Sequence, residues 1–343
     1  MSRWTITDPQ SVRDVVEVID KFGLRVVFVV DNDRHLRASV TDGDVRRALL
    51  AGHGLDSPAE AISNANYIAL PDGGDWARAI AEGDTRGLRD YPVVDADGRL
   101  VCVEVHRSDM AAVVRNNTVV IMAGGEGTRL RPLTTVTPKP LLHVAGEPIL
   151  QHIIKKLRDE GFSDVILAIN YLGEQIESYF EDGSRFGVKI RYLRENRALG
   201  TAGALSLMNL PFASPIVVMN GDLVLAANVG KMVDYHVAKQ AEITVGAKLV
   251  ETAVPFGVLS TRGSVVTGIE EKPTHRDLVN AGVYVLSSKI VSSVSAEKAT
   301  DMPDLILENI GQENVLAYPM HETWADLGRP DDFSRADEIF KRG

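Results

Sequence analysis

The chain has 343 residues, 45% of them hydrophobic and 24% charged, which is enough to build about two domains. Asp and Glu (47) outnumber Lys and Arg (37) for a formal charge of −10, which argues against a nucleic-acid partner or an anionic membrane surface. A single cysteine, Cys102, excludes an intrachain disulfide or a multi-cysteine metal site.

The opening residues, MSRWTITDPQ, lack the basic-then-apolar pattern of a secretory leader, and apolar runs such as Val26–Val30 are too short to span a bilayer. A cytoplasmic protein is expected. Residues 9–20 carry Val12, Val15, Val16, Val18 and Ile19 at helical spacing, behind Asp8 and Ser11 as candidate caps. Strands are predicted at Arg25–Val30 and Leu36–Val40, around an Asp31-Asn32-Asp33 turn, with a helix at Asp44–Ala51. The pattern returns about 65 residues later. Tyr91–Asp95 and Leu100–Val105 read as strands around Asp97-Gly98, and Ser108–Val114 as a helix. The spacing predicts an internal duplication, and Asn116-Asn117 suits a boundary turn after it.

The stretch VVFVVDNDRHLRASVTDGDVRRALL resembles the core of a CBS motif, in which a strand ends in Thr or Ser followed three residues later by Asp. Thr41 and Asp44 match, and in the second copy Asp109 matches while His106 replaces the Thr or Ser. The resemblance implies an α/β tandem CBS pair over residues 1–115, a dimerising or regulatory module that takes an adenine or guanine nucleotide. An Asp at either position is also what a helix N-terminus favours on its own.

From Thr118 the character changes. Val119–Met122 reads as a buried strand that empties into the glycine run Ala123-Gly124-Gly125-Glu126-Gly127-Thr128. Arg129, Arg131 and Lys139 follow, interrupted by Pro132, Pro138 and Pro140, so these charges belong to a loop. A strand, a glycine turn and a basic loop suit a polyphosphate. Beyond it, a helix is predicted at Pro148–Glu160, a strand at Asp164–Asn170 and a helix at Gly173–Phe180. A strand at Lys189–Leu193, a helix at Thr201–Asn209 and a strand at Pro215–Met219 complete the alternation. Such succession predicts a mostly parallel, doubly wound sheet with ligands at the strands' carboxyl ends, and 242–287 adds antiparallel elements. The dinucleotide fingerprint is absent, and no Gly-Lys-Ser/Thr closes a P-loop.

The run GGEGTRLRPLTTVTPKP is similar to the signature of sugar-1-phosphate nucleotidyltransferases, which reads G-G-x-G-T-R-L-x-P-L-T and then P-K-P. Later stretches fall in that family's order: Leu199–Ala204 (LGTAGA), Asn220-Gly221-Asp222, Phe256-Gly257-Val258, Glu270–Pro273 (EEKP), Asn280-Ala281-Gly282 and Trp324–Gly328 (WADLG). Singly, Asp222 is an ordinary strand-end turn residue and Lys272 an ordinary solvated charge, but one reaction needs them together. The resemblance implies a Rossmann-like, GT-A-like mixed sheet over 116–343 that joins a nucleoside triphosphate and a sugar 1-phosphate, releasing pyrophosphate.

It also implies the roles. Ala123, Gly124, Gly125, Gly127 and Thr128 cradle the triphosphate, and Gly200 and Thr201 lie along the base. Arg129, Lys139 and Asp222 are catalytic, with Arg129 on the β- and γ-phosphates and Lys139 on the α-phosphate. Gly257, Glu271, Lys272 and Asn280 hold the sugar phosphate, and Asp222 and Asp326 hold Mg²⁺. The GTAGA form favours GTP, with UTP, dTTP and CTP as alternatives. The chain stops at Gly343, leaving no room for the C-terminal β-helix of many mannose-1-phosphate guanylyltransferases. A CBS pair ahead of a compact transferase instead resembles the glucosamine-1-phosphate guanylyltransferases of legionaminic acid synthesis, so a hexosamine 1-phosphate is expected. A homodimer or higher homo-oligomer is expected from the CBS pair. A regulatory nucleotide-binding protein without activity is the reading from another class.

Overall fold

The computed structural model describes residues 3–85, 88–105, 114–208, 215–311 and 314–328. Two compact units divide the chain: Met1–Ala111 with Leu249–Asp277, and Ala112–Lys248 with Leu278–Gly343. The sequence places one boundary near residue 115, whereas here a second excursion, Leu249–Asp277, is grouped with the first unit. No helix among the described residues is long and apolar enough to cross a membrane.

The first unit is built twice from one plan. Strand β1 (Thr5–Thr7) leads into α1 (Val12–Phe22), β2 (Val26–Val30), β3 (Leu36–Thr41) and α2 (Asp42–Leu50). Ser11 starts α1 through a capping box, its hydroxyl accepting the Asp14 N–H (3.3 Å) while the Asp14 carboxylate accepts the Ser11 N–H (2.9 Å). Val12, Val15, Val16 and Ile19 form the buried stripe, and Gly23 stops the helix. The second copy runs β4 (Leu70–Pro71), α3 (Ala77–Thr85), β5 (Asp90–Val94) and β6 (Leu100–Val105). In each copy the first strand pairs parallel with the second and the second antiparallel with the third.

The turns of the two copies also match atom for atom. Asp31 accepts the N–H groups of Asp33 (3.0 Å) and His35 (2.8 Å), and Asp95 accepts those of Asp97 (3.0 Å) and Arg99 (2.8 Å). Each turn then bonds the other, Leu36 N–H to Gly98 O (3.1 Å) and Leu100 N–H to Arg34 O (2.8 Å). The duplication is therefore present in three dimensions. The predicted helix 108–114, with His106 and Asp109, falls on or beside 106–113, outside the described residues.

The second unit opens with β7 (Arg115–Met122), followed by β8 (His143–Val144), β9 (Glu147–Pro148), α4 (Ile149–Asp159), β10 (Phe162–Ile169), α5 (Gly173–Phe180) and β11 (Lys189–Arg194). Then come α6 (Gly200–Gly203), β12 (Ile216–Asn220), β13 (Leu223–Leu225), α7 (Val229–Ala238) and β14 (Ile243–Ala253). Within the stretch grouped with the first unit, a hairpin of β15 (Gly257–Arg262) and β16 (Val265–Glu271) leads on to β17 (Thr274–Leu286). The chain continues through α8 (Ser288–Ser293), α9 (Met302–Asn309), β18 (Val315–Met320) and β19 (Trp324–Asp326).

Seven strands form one sheet in the order β11-β10-β7-β12-β17-β14-β18. β11, β10, β7 and β12 are parallel, and β17 runs antiparallel to β12. Alternation along β7 sends Val119 and Ile121 into a core with Ile153, Ile154 and Leu157 of α4, and Val120 into an opposite core with Ala202, Ile290 and Leu305. Both faces are thus covered, as a parallel sheet requires.

Two expectations need correction. Asn116-Asn117 is no boundary turn but part of β7, because Arg115 N–H bonds Gly161 O (2.9 Å), its guanidinium forks onto Asp234 (2.8 and 2.9 Å), and Asn117 Nδ2 donates to Pro215 O (2.7 Å). The helix predicted at Thr201–Asn209 is one short turn, α6, followed by a 3₁₀ segment Ala204–Leu207, since Gly200 enters it at φ +84°.

Candidate active site

A cleft of about 320 Å³ opens at the carboxyl ends of the parallel strands. The main chain shapes it. Ala123 N–H bonds Ala168 O (2.8 Å) and Gly221 N–H bonds Met122 O (2.9 Å), so the loops after β7, β10 and β12 are tied together where they leave the sheet. Gly127 sits at φ +60°, and a Cβ there would stand 2.9 Å from Thr134 Cγ2, so only glycine fits without strain. The buried Thr134 hydroxyl donates to Gly127 O (2.8 Å) and fixes this turn against the following loop.

Lys139 is the cleft's cation. Its side chain is only 12% exposed, and its Nζ pairs with Asp222 Oδ2 and lies 3.8 Å from Asp326 Oδ1. The two carboxylates meet because β13 and β19 form an antiparallel ladder in which Leu223 stands opposite Asp326. Leu327 N–H donates to Asp222 O (3.2 Å), and Trp324 Nε1 holds β19 to Ala281 O (2.9 Å). Asp222 Oδ1 is buried without a hydrogen-bond partner. An acceptor-only oxygen left in that state is costly unless a cation satisfies it. With a second carboxylate beside it, the donor set is that of a hard divalent ion held by oxygen ligands.

Thus Ala123, Gly124, Gly125, Gly127, Lys139, Gly200, Thr201 and Asp222 all border this cleft. Thr128 and the exposed Arg129 line an adjoining hollow of about 220 Å³ with Gly127, Lys139 and Gly328. Arg131 pairs with Glu126 (3.1 Å) at the surface. Asn280 is exposed on β17, and its side-chain oxygen accepts the Gly282 N–H (3.0 Å). Gly257, Glu271 and Lys272 come together at one hairpin: Gly257 is paired with Glu271 at the base of β15–β16, and Lys272 N–H bonds Phe256 O (3.2 Å). That hairpin is grouped with the first unit. Thr41 and Asp44 serve α2 as a capping box, with Thr41 N–H donating to Asp44 Oδ2 (2.8 Å) and Asp44 N–H to Thr41 Oγ1 (3.3 Å).

Sequence reasoning passed over Glu195 and Asp301, which also border the cleft. Asp301 Oδ1 accepts from Thr201 N–H (2.9 Å) and Thr201 Oγ1 (3.3 Å), and Thr300 O accepts from Ala202 and Gly203 N–H (both 3.0 Å). A Cβ on Gly200 would lie 2.5 Å from Thr300 O, which is why the chain has glycine there. The signal for Asp301 was available, since an Asp two residues before Pro303 is a helix-start pattern. Glu195 carried no local pattern. It half-buries just beyond β11, and burial, only partly offset by the Leu199 N–H, pushes its carboxyl above the ordinary glutamate range.

An open α/β sheet with a glycine-lined cleft at its strand ends, a lysine held between two aspartates, and helices on both faces defines a phosphate-handling α/β domain. The chain belongs to the nucleotidyl transferase family, whose model matches residues 118–342, and residues 1–51 match the CBS domain. It is 33% identical over 236 residues to a mannose-1-phosphate guanylyltransferase of Mycobacterium tuberculosis, covering 65% of this chain and 64% of that protein. A D-glycero-alpha-D-manno-heptose 1-phosphate guanylyltransferase of Aneurinibacillus thermoaerophilus is 31% identical over 221 residues, covering 63% of this chain and 95% of that one. The crystal structure of HddC from Yersinia pseudotuberculosis complexed with GMP-PN superposes with a TM-score of 0.51 at 26% identity, over 65% of this chain and 99% of that one. The chain spans less than two thirds of the length of the mannose-1-phosphate guanylyltransferases, 62% and 64% for two of them.

Proposed function

We propose that the protein makes an NDP-sugar and pyrophosphate from a nucleoside triphosphate and a sugar 1-phosphate. The observation that carries this is Lys139 between Asp222 and Asp326 beside the glycine turn. In the reaction a phosphate oxygen of the sugar 1-phosphate bonds the α-phosphorus, and the bond from that phosphorus to the β-bridging oxygen breaks. No covalent group from the protein is needed, so the protein's task is to position two polyanions and neutralise charge. The N–H groups around Gly125–Thr128 face the triphosphate. Arg129 in the adjoining hollow meets the departing pyrophosphate, and Lys139 neutralises the α-phosphate. Asp222 and Asp326 would hold a divalent ion, which we take to be Mg²⁺ and which would withdraw charge from the reacting phosphates. Gly257, Glu271, Lys272 and Asn280 are assigned to the sugar phosphate from the family pattern.

GTP is the proposed nucleotide, supported by guanylyltransferases among the relatives and the GMP-PN complex. A uridylyltransferase of Synechocystis is also 30% identical, so UTP is the first competitor to test. Glucosamine 1-phosphate is the favoured acceptor, with mannose and heptose 1-phosphates beside it. The first unit would then be a cytoplasmic enzyme's CBS module, for dimerisation or for sensing an adenine or guanine nucleotide through Thr41, Asp44 and Asp109. The deciding experiment measures pyrophosphate release from GTP, UTP, dTTP, CTP and ATP against these sugar 1-phosphates with Mg²⁺. Silence across the panel overturns the enzymatic reading.

A further inference from the structure

The β15–β16 hairpin stands on two main-chain bonds, Val254 N–H to Pro273 O (2.9 Å) and Lys272 N–H to Phe256 O (3.2 Å). Little covers it, since every residue of β15 is exposed, as are Phe256, Val266 and Ile269. A two-stranded hairpin in that state is marginal by itself in water. Lys272 also sits at φ +48°, where a side chain is strained unless its surroundings hold it. The base of the hairpin is held by the first CBS copy. Glu251 on β14 accepts from Arg276 Nε of β17 through Oε1 (2.9 Å), and its Oε2 stands 3.5 Å from Arg13 Nη2 of α1. Arg13 is itself forked onto Asp56 (3.1 and 3.0 Å). Leu249 packs against the core of that copy, and Arg276 runs directly over Gly54, where a Cβ would lie 2.1 Å from its Nε. Gly54 belongs to a fixed turn: its N–H donates to Ser57 Oγ (3.0 Å), while the Val12 and Arg13 N–H groups donate to Ser57 O (2.9 Å) and Leu55 O (2.7 Å).

We propose that Glu251 is a positioning residue for the sugar 1-phosphate, and that the first CBS copy is the mount from which it works. Exposed ion pairs add little to stability, so a network of this kind matters for alignment more than for folding energy. Glu251 is its half-buried centre, with a guanidinium on each oxygen and segments far apart in sequence meeting on it. Glu251 lies three residues before Val254 and Arg276 three after Pro273, so the ion pair is about 10 Å of strand from the bond at the hairpin's base. A shift of the pair is therefore carried to Lys272 through a short, hydrogen-bonded lever. The residues assigned to the triphosphate, Gly125, Lys139 and Asp222, belong to the second unit. Loosening the mount should thus fall on one substrate and spare the other.

This role rests on the assignment of Glu271 and Lys272 to the sugar phosphate, and Lys272→Met tests that assignment separately. Wild type, Glu251→Ala, Glu251→Gln and Gly54→Ala, all as full chains, are assayed with GTP against glucosamine 1-phosphate and mannose 1-phosphate. Glu251→Ala removes the acceptor, and Gly54→Ala pushes Arg276 aside from the other side with no change of charge. In both, KM for the sugar phosphate is expected to rise about tenfold, as for one hydrogen bond to a charged group, with KM for GTP within about twofold of wild type. Glu251→Gln keeps an acceptor for Arg276 Nε and should fall between. Amide exchange in β15 and β16 should quicken in the same variants and stay unchanged in α4 and β10. Two KM values that move together, or hairpin exchange that does not change, overturn the positioning role. A Lys272→Met variant with unaltered KM for the sugar phosphate removes the hairpin from sugar recognition and overturns it as well, while exchange still decides whether the first copy carries the hairpin. If no triphosphate turns over, the enzymatic reading fails, and the same exchange measurement decides the mount.

Discussion

Leu223 stands directly opposite Asp326 across the short β13–β19 ladder, although about a hundred residues of sequence separate them. That pairing, with the Leu327 N–H on Asp222 O, fastens the two carboxylates beside Lys139 by main-chain bonds rather than by flexible side chains. Like charges held together this way need a cation between them.

Lys139→Met keeps the aliphatic stem and removes the charge. Turnover should fall by about 10²–10³-fold, the scale for losing one charge-stabilising donor. Circular dichroism should still report a folded chain. A soluble variant within tenfold of wild type would take Lys139 out of the mechanism.

Asp222→Asn should flatten the response to Mg²⁺. Its Oδ1 is the buried acceptor without a partner, so an amide there cannot supply the same ligand charge. Thermal stabilisation by added Mg²⁺ is a readout independent of turnover, and it should vanish too. An unchanged metal titration would count against Asp222 as a ligand.

Asp301→Ala removes the acceptor of the two hydrogen bonds that Thr201 donates and leaves Thr201 Oγ1 only the Met302 N–H (2.8 Å), while Asp301→Asn keeps an Oδ1 acceptor. The alanine variant should raise the KM for the triphosphate by about tenfold, equivalent to one hydrogen bond, and the asparagine variant much less. Equal KM values in the two would show that α6 does not depend on this clamp.

Glu195 also links stability to pH. Its folded-state pKa is raised above the ordinary value of 4.5 by burial, so the folded chain holds the proton more tightly than the unfolded one. Ionising it therefore costs stability, a cost absent below the ordinary value and complete above the raised one. Glu195→Gln should be more stable than wild type at about pH 8, with the gap closing as pH falls toward about 4. Urea midpoints across that range measure it, and a gap independent of pH would assign the effect to something other than burial.

Thr41→Ala removes the cap of α2, which costs about 1 kcal/mol in comparable helices. Faster hydrogen exchange in the first turn of α2 should report it. Titrating the full chain with ATP, AMP and GTP then asks whether Thr41 and Asp44 also meet a nucleotide, and identical binding in the variant would leave them only the capping role.

Much of this is legible in the sequence. The stripe Val12, Val15, Val16, Ile19 and the run Ile149, Leu150, Ile153, Ile154, Leu157 are both buried in the expected helices, because a 3.6-residue period leaves little freedom. The glycine signature marked the loop that borders the cleft. Tertiary pairing was not legible. Asn116-Asn117 has turn composition, yet bonds to Pro215 and the neighbouring Arg115 anchor draw it into a strand. α6 is cut short by a loop a hundred residues away, through Thr300 and Asp301, which no local window contains. Glu195 escaped for the same reason, since its meaning comes from Gly124 and Leu199 rather than from its sequence neighbours.

The reciprocal bonds between the Asp31 and Asp95 turns, Leu36 to Gly98 and Leu100 to Arg34, bear on how this chain can change over time. Each turn supplies the edge on which the other is measured. An inserted residue in one would misalign both ladders together, so the two halves are bound to drift in step. Side chains on either copy remain free to diverge in chemistry, as His106 against Thr41 already shows.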